Sequence, residues 1–428
     1  MEYSLFKNLN KRISILKEVV VRNNLFLKNL SYLTILEGVN ILVPFIVLPY
    51  LLHVLGKEIY GLIIFAQATV AYLAILQNFG LNTLAVKETS INRDNKKLLS
   101  GIVSNIFVFK GLLFIISFLI LWIIINFFSI YHSHEVLLFL TMYMCLGDFI
   151  FPKWYFQGIE KMQFITYLNI LSKIIILILI FILIKTKNDY LFLPIIYGIG
   201  AMISGIGSMI IIFKFHRLRF VYPSFIQFKN LIKQSMTFFI SDVSISIFAN
   251  SNKIIIGSFI GLAELAYYDL ADKIIMVFKH IPLNIVRNTI YPRVAITKNI
   301  KFIKRISILM GSYSVIIIIL IQIFAPAIVV FLGGNELLDS ANVLRIFSIS
   351  IFTTHISNYY ITIGLWSLGY EKIFRNLMIY STLVFLLLYL ILWALDIINI
   401  YTITALPAIV DIYLIIHTYL IYKQKKLI

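Results

Sequence analysis

Charge is what this sequence has least of. Only 13% of its 428 residues are Asp, Glu, Lys or Arg, and 61% are hydrophobic; soluble domains average about 25% charged. Mean hydropathy is +0.95. A water-soluble core is excluded, because there is too little polar surface to enclose so much apolar volume. Cysteine is nearly missing too. The one copy, Cys145, sits inside an apolar run, so a disulfide framework or a cysteine metal cluster is excluded and a packing role remains. Blocks such as KIIILILIFILI (173–184) lack the alternation that a transmembrane barrel requires. Long connections are scarce as well, which leaves no room for a folded domain on either side of a membrane.

What is present is a series of apolar runs, each near the ~20 residues that cross ~30 Å of hydrocarbon. Twelve spans are expected: 30–52, 59–82, 100–127, 135–157, 163–184, 190–213, 231–256, 265–288, 304–332, 341–367, 373–395 and 399–421. The chain therefore reads as an all-α polytopic membrane protein. Residues 1–29 are basic and lack the short apolar region and small-residue cleavage site of a signal peptide. Leu5, Leu9, Ile13, Leu16 and Val20 recur at helical spacing, which predicts an amphipathic helix on the cytoplasmic surface.

Basic residues set the orientation. With the N-terminus inside, the cytoplasmic segments carry 27 of them and the opposite loops only three, Lys57, Lys185 and Lys187. This bias predicts an even number of spans with both termini cytoplasmic. The net charge of +18 is then a matter of topology, not of nucleic-acid binding.

A charged corner is spelled twice. PKWYFQGIEKM (152–162) carries Gly158, Glu160 and Lys161, and WSLGYEKIF repeats the pattern with Gly369, Glu371 and Lys372, 211 residues later. Glu37 and Asp242 stand 205 apart, and LGKEIYG (55–61) resembles IGLAELAYY (260–268). These echoes predict two six-helix lobes in the same orientation around a central cavity: an N-lobe at 30–213, a linker at 214–230, a C-lobe at 231–421 and a tail at 422–428. In each corner glycine is expected to permit the reversal, with the charges in water and the aromatics at the interface.

Seven basic residues fall within or at the edges of spans: Lys110, Lys153, Lys173, Lys253, Lys273, Lys279 and Arg345. Acidic companions are Glu37, Asp148, Asp242, Asp269, Asp272 and Asp411. A charge at mid-membrane costs at least ~2.5–3.5 kcal/mol on insertion scales, so each should face a partner or a hydrated cavity. Several share helical faces. Asp242, Ser246, Asn250 and Lys253 form one stripe, and Arg345, Ser348, His355, Tyr359, Thr362 and Trp366 another. Thr166, Asn169 and Lys173 form a third, and Gln67 and Asn78 share a face. Lys273 has Asp269 four residues earlier, so an intrahelical pair competes with ligand contact; Lys153, Lys279 and Arg345 can snorkel to an interface. Surplus lysine and arginine suit an anion such as phosphate or pyrophosphate. Lys173, Lys253, Lys273, Arg345, Lys110 and Lys153 are the candidates for it. Glu37, Asp148, Asp242, Asp269 and Asp411 are candidates for coupling ions, with structural ion pairs as the alternative.

Three stretches give a family resemblance: PYLLHVLGKEIYGLIIFAQATVAYLAILQNFGLNTLAVKE (49–88), PKWYFQGIEKMQFITYLNILSK (152–173) and AYYDLADKIIMVFKHIPLNIVRNTIYP (266–292). The chain resembles the O-antigen flippases, Wzx-type polysaccharide transporters, along essentially its whole length. Their superfamily includes the multidrug-and-toxin exporters, so the resemblance implies a MATE-like arrangement of the two lobes. It also implies a bacterial inner-membrane protein that moves undecaprenyl-pyrophosphate-linked oligosaccharide to the periplasmic leaflet by alternating access. A proton or sodium gradient is the expected drive, with no cofactor. Membrane lipids and other O-antigen assembly proteins, such as a polymerase and a chain-length regulator, are the implied neighbours. His53 stands where relatives often carry arginine, and Lys87 replaces a frequent arginine before Glu88. Alternative readings are a multidrug exporter, which would favour an acidic cavity, and an O-antigen polymerase, which would need a large periplasmic loop.

Overall fold

Gly56 breaks the first long helix, α1 (Glu2–Asn78), with φ 75° and ψ 167°. Its two limbs run in opposite directions. Along the first, Thr166 Oγ1 donates to the Tyr32 carbonyl and Tyr50 OH to the Ile184 carbonyl, so that limb runs parallel to α5 (Met162–Leu183). The second starts at the Ile184 end of the bundle and returns to Asn78, which meets Lys110 of α3 (Lys96–Phe127). Between them α2 (Leu81–Ile91) extends the returning limb. The computed structural model describes residues 2–223, 225–298, 300–366 and 368–425. Side chains are described except those of 2–27, 30, 225, 226, 285–293, 295, 296, 300, 362, 363, 366 and 371. The expectations for the amphipathic face at the N-terminus, for Thr362 and Trp366, and for the Glu371 side chain lie outside the described side chains.

The remaining long helices are α4 (Glu135–Ile150), α6 (Phe192–Ile210), α7 (Phe225–Ile255), α8 (Leu262–Thr297), α9 (Ile300–Gly333), α10 (Ser340–Asn358), α11 (Glu371–Ala394) and α12 (Ile400–Gln424). Helices α6, α7 and α10 run on into π-helical turns at Ile211–Phe215, Ile256–Ile260 and Tyr359–Trp366. Asn95 caps α3 by accepting from the amides of Lys97 and Leu98, and Asn399 does the same for α12. No strand occurs among the described residues. Among the described residues, nine segments are long and apolar enough to cross a membrane. Counting the two limbs of α1 separately, and adding α8 and α10, gives twelve. Those two fall short because they carry the polar side chains that the bundle hides from lipid.

The two halves echo each other in backbone as well as in sequence. Gly56 and Gly261, 205 residues apart, each interrupt a helix between two spans. At the other end the repeated corners differ from expectation. Gly369 does adopt the left-handed conformation, with φ 91°, but in the first corner Glu160 turns the chain at φ 58°. Gly158 is needed for close packing instead: a Cβ there would lie 2.5 Å from the Thr89 Cβ. The aromatics of that corner are not interfacial either. Trp154, Tyr155 and Phe156 are buried in a cluster with Val103, Ile106 and Ile212. Glu160 stays exposed and pairs with Arg93 at 3.1 Å.

Candidate functional site: three groups of intramembrane charge

Two close approaches bring the halves together. A Cβ on Gly61 would sit 1.8 Å from the Leu262 carbonyl oxygen, and one on Gly80 would sit 2.6 Å from the Phe239 amide. The returning limb of α1 thus lies nearly backbone to backbone against α8, and the Gly80 turn that follows it lies as close to α7. Tyr60, beside the first of these glycines, is carried into the C half. Its hydroxyl donates to Asp269 Oδ2 at 2.6 Å and accepts from Lys273. Lys273 also donates to Asp269 Oδ2 at 2.6 Å. Lys253 of α7 bridges Asp269 Oδ1 at 2.9 Å and Asp272 Oδ2 at 3.0 Å. Lys57 adds a bond to Tyr267 at 2.6 Å.

Two ammonium groups and two carboxylates make the Tyr60 group neutral. That balance answers the penalty for desolvating four charges, since a buried ion is tolerated only when paired and hydrogen-bonded. Lys253 is therefore committed to α8. Asp242, which shares its helical face, makes no hydrogen bond or ion pair among the described residues. Further along the same seam, Tyr72 and Ser251 join the halves at 2.7 Å.

The second group lies within the N half. Lys110 is buried, and its ammonium donates to Asn78 Oδ1 at 2.8 Å and Asn82 Oδ1 at 2.7 Å. The amide group of Asn78 is fixed by donation to the Ala74 carbonyl at 2.9 Å, which aims its oxygen at the lysine. No carboxylate among the described residues touches Lys110. Asp148 turns to Lys153 instead, 3.5 Å away in an exposed pair. Lys173 is partly buried and makes no hydrogen bond or ion pair among the described residues. Asp148 and Gln67 line a cavity of about 190 Å³ with Ala71, Thr141 and Met144. Among the described residues, three lysines thus share one acid.

The third group is in the C half. Asp411 of α12 accepts from Thr354 at 2.6 Å, Ser357 at 3.1 Å and Thr353 at 3.3 Å, all on α10. His355 is fully buried, with Nε2 at 3.2 Å from the Lys279 carbonyl and Nδ1 at 2.6 Å from Ser314 Oγ. A carbonyl only accepts, so the ring proton sits on Nε2 and Nδ1 accepts from Ser314. Lys279 does not snorkel: it is buried, with its ammonium 5.2 Å from the Phe347 ring centroid.

The other expected residues are scattered. Glu37 is exposed on the first limb of α1. Arg345 bonds the Gln322 carbonyl at 3.2 Å. Asn169 donates to the Ile165 carbonyl at 2.8 Å and Asn250 to Ser246 at 2.9 Å, both within their own helices. Tyr359 is packed, not open: it is fully buried among Val294 and Ile303, and its hydroxyl has no partner among the described residues. Sequence reading missed Tyr60, Thr354, Ser357 and Asn252. Asn252 is fully buried, donating to Tyr268 at 2.8 Å and accepting from Tyr389. A polar residue inside an apolar span was a usable signal for Asn252; one tyrosine out of 25 was not.

Comparison with known proteins fits this architecture. The chain is 28% identical over 367 residues to a protein of Escherichia coli K12 named "Putative O-antigen transporter", covering 84% of this chain and 88% of the relative. A protein of Shigella dysenteriae with the same name is 26% identical, over 84% and 91% of the two chains. Among solved structures, the lipid II flippase MurJ in an inward closed conformation superposes with a TM-score of 0.74 at 13% identity, over 91% of this chain and 87% of that one. An inward-facing multidrug resistance MATE family transporter of the MOP superfamily gives 0.71 at 14% identity, over 90% and 94%. The fold is therefore MATE-like, as the family resemblance implied. Residues 26–298 match the model of the polysaccharide biosynthesis protein family, and the chain belongs to that family.

Proposed function

We propose that the protein is a flippase that carries lipid-linked repeat units of O-antigen, or of a related polysaccharide, from the cytoplasmic to the periplasmic leaflet of a bacterial inner membrane. The unit is linked through pyrophosphate to undecaprenol. Both termini lie in the cytoplasm, as the basic bias requires. The observation that carries the reading is the lysine surplus of the N half, where Lys110, Lys153 and Lys173 have Asp148 as their one acidic neighbour among the described residues. A pyrophosphate would supply the missing negative charge, through charge-assisted hydrogen bonds that strengthen as water is excluded. An organic-cation exporter would want the opposite balance.

The seam between the halves supplies the moving part. The Tyr60 group would form and break as the halves rock, alternating access to the lysines from each side. An ion gradient drives the cycle. A polymerase and a chain-length regulator would act on the product once it reaches the periplasmic face.

Deleting the gene should leave short lipid-linked units in the inner leaflet and abolish long surface polysaccharide, with glycosyl transfer intact. Labelled units that reach the periplasmic face at normal rates without the protein would refute the flippase reading. Lys173→Ala should impair export while the protein remains in the membrane; wild-type export would remove Lys173 from the pyrophosphate site.

A further inference from the structure

Helix α12 has a weak point one turn before its only acid. Pro407 lies inside the helix and has no amide hydrogen, so the Ile403 carbonyl loses its helical partner. That carbonyl faces Asn252 Nδ2 at 3.5 Å instead. Asp411 then ties the segment beyond the proline to α10, through Thr353, Thr354 and Ser357. The tie is unusual in lacking a cation: no ion pair to Asp411 occurs among the described residues.

We propose that Asp411 is a proton-binding site, built so that its hydrogen-bond cage is satisfied with the carboxyl either ionised or neutral. The cage has spare acceptors. Ser357 Oγ reaches the Thr354 carbonyl at 3.1 Å as well as Asp411 Oδ1, and Thr353 Oγ1 reaches the Ser350 carbonyl at 3.4 Å as well as Oδ2. When water delivers a proton, an O–H bond forms on Oδ1 and the carboxylate charge is lost. The new O–H donates to Ser357 Oγ, whose own hydrogen turns to the Thr354 carbonyl. Thr354 goes on donating to Oδ2. Release reverses each move and returns the proton to water, so no polar group is stranded in either state.

The surroundings hold the two states in reach of each other. Burial favours the neutral acid, while hydroxyl donors and a nearby cation favour the anion. Of the charged and titratable groups on elements packed against α12, Lys279 of α8 is the one that acts on Asp411. Lys253 and Asp272 are engaged with each other, His355 is held between Ser314 and a carbonyl, and Tyr389 is bonded to Asn252. Tyr380 of α11 stacks on His417 of α12 itself, and Tyr413 bonds that histidine. Asp242 of α7 makes no bond to Asp411. Protonation turns charge-assisted bonds into neutral ones of roughly half the strength. It thereby loosens α12 against α10 just past the proline hinge, which gives a proton a mechanical effect on the C half.

The test is infrared difference spectroscopy on the full chain in lipid discs, with isotope-labelled aspartate, and it needs no knowledge of the transported molecule. Lowering the pH should raise an aspartic acid carbonyl band that is missing in Asp411→Asn. Thr354→Val removes the shortest donor to the anion and should raise proton affinity about tenfold or more. Lys279→Gln should shift the midpoint in the same direction. If Asp411→Asn does not reach the membrane, Thr354→Val carries the test, and an unmoved midpoint overturns the proposal. So does a band that survives in Asp411→Asn, or a wild type with no titrating band. A band abolished by sodium at constant pH would make this a sodium site and overturn it equally.

Discussion

Asp269→Asn is the most informative single change in the seam. Asp269 is about 1% exposed and accepts from Tyr60, Lys253 and Lys273. The asparagine keeps the shape and one acceptor oxygen but removes one of two negative charges, leaving the group with a net positive charge. Lys253 retains Asp272, while Lys273 keeps only Tyr60. Breaking a buried pair from one side costs about 3–5 kcal/mol, because a charge is left uncompensated. With an unfolding entropy of ~2.1 cal/mol/K per residue, a chain of this length would lose ~3–6 °C of thermal midpoint. Helices that persist in the unfolded membrane state lower that entropy and enlarge the shift. The double variant Asp269→Asn/Lys273→Met restores neutrality and should recover most of the loss. Midpoints are read by aggregation of the detergent-solubilised chain on heating. A single variant that melts with the wild type, or a double variant no better than the single, would refute the charge-balance argument.

Two further expectations can be checked on the same preparation. Gly61→Ala drives a methyl into the Leu262 carbonyl and should destabilise by about 1–3 kcal/mol or more, whereas Gly101→Ala, with open space around it, should be neutral or gain up to ~1 kcal/mol; equal midpoints for the two would show that the halves are not in close contact there. At the basic end, Lys161 lies 3.2 Å from His216 Nε2 and can only donate, so His216 Nδ1–H donates to Tyr155. Burial, with Lys161 and Lys96 adding repulsion, pulls the His216 pKa below its ordinary value. Below about pH 6.5 the unfolded chain then binds more protons than the folded one, and stability falls until the folded-state pKa is passed. Magnetic resonance of labelled histidine should give a titration midpoint below 6.5, and His216→Asn should flatten the pH dependence; a midpoint at or above the ordinary value would contradict the half-buried neutral ring.

The class, span number and repeat were legible because they rest on local signals: run length, basic bias and motif echoes at a fixed offset. What the sequence could not carry was partnership between helices. Lys253 and Asp242 share a face of one helix, yet Lys253 bonds Asp269 and Asp272 of the next, a contact set by how α7 packs on α8. Helical spacing marks a face; it does not say what that face meets. Tyr60 shows the same gap, since its neighbours lie more than two hundred residues away. Gly158 shows another: a glycine in a charged corner reads as a turn, and only packing against Thr89 explains it. Lys110 was visible as an intramembrane charge, but its asparagine partners depend on α3 crossing the returning limb of α1. Asp411 was visible too, while its cage belongs to a helix some fifty residues earlier.

The central claim, movement of a lipid-linked anion past the N-half lysines, is tested most directly in sealed inner-membrane vesicles of known orientation. A lipid-pyrophosphate-linked saccharide is labelled on the cytoplasmic leaflet, and its arrival in the opposite leaflet is followed by accessibility to an impermeant glycan-cleaving enzyme. Arrival should be rapid with the wild-type chain, at background without it, and strongly slowed when Lys110, Lys153 and Lys173 are replaced together by glutamine with the protein still present in the membrane. Arrival at the wild-type rate in that triple variant would contradict the claim.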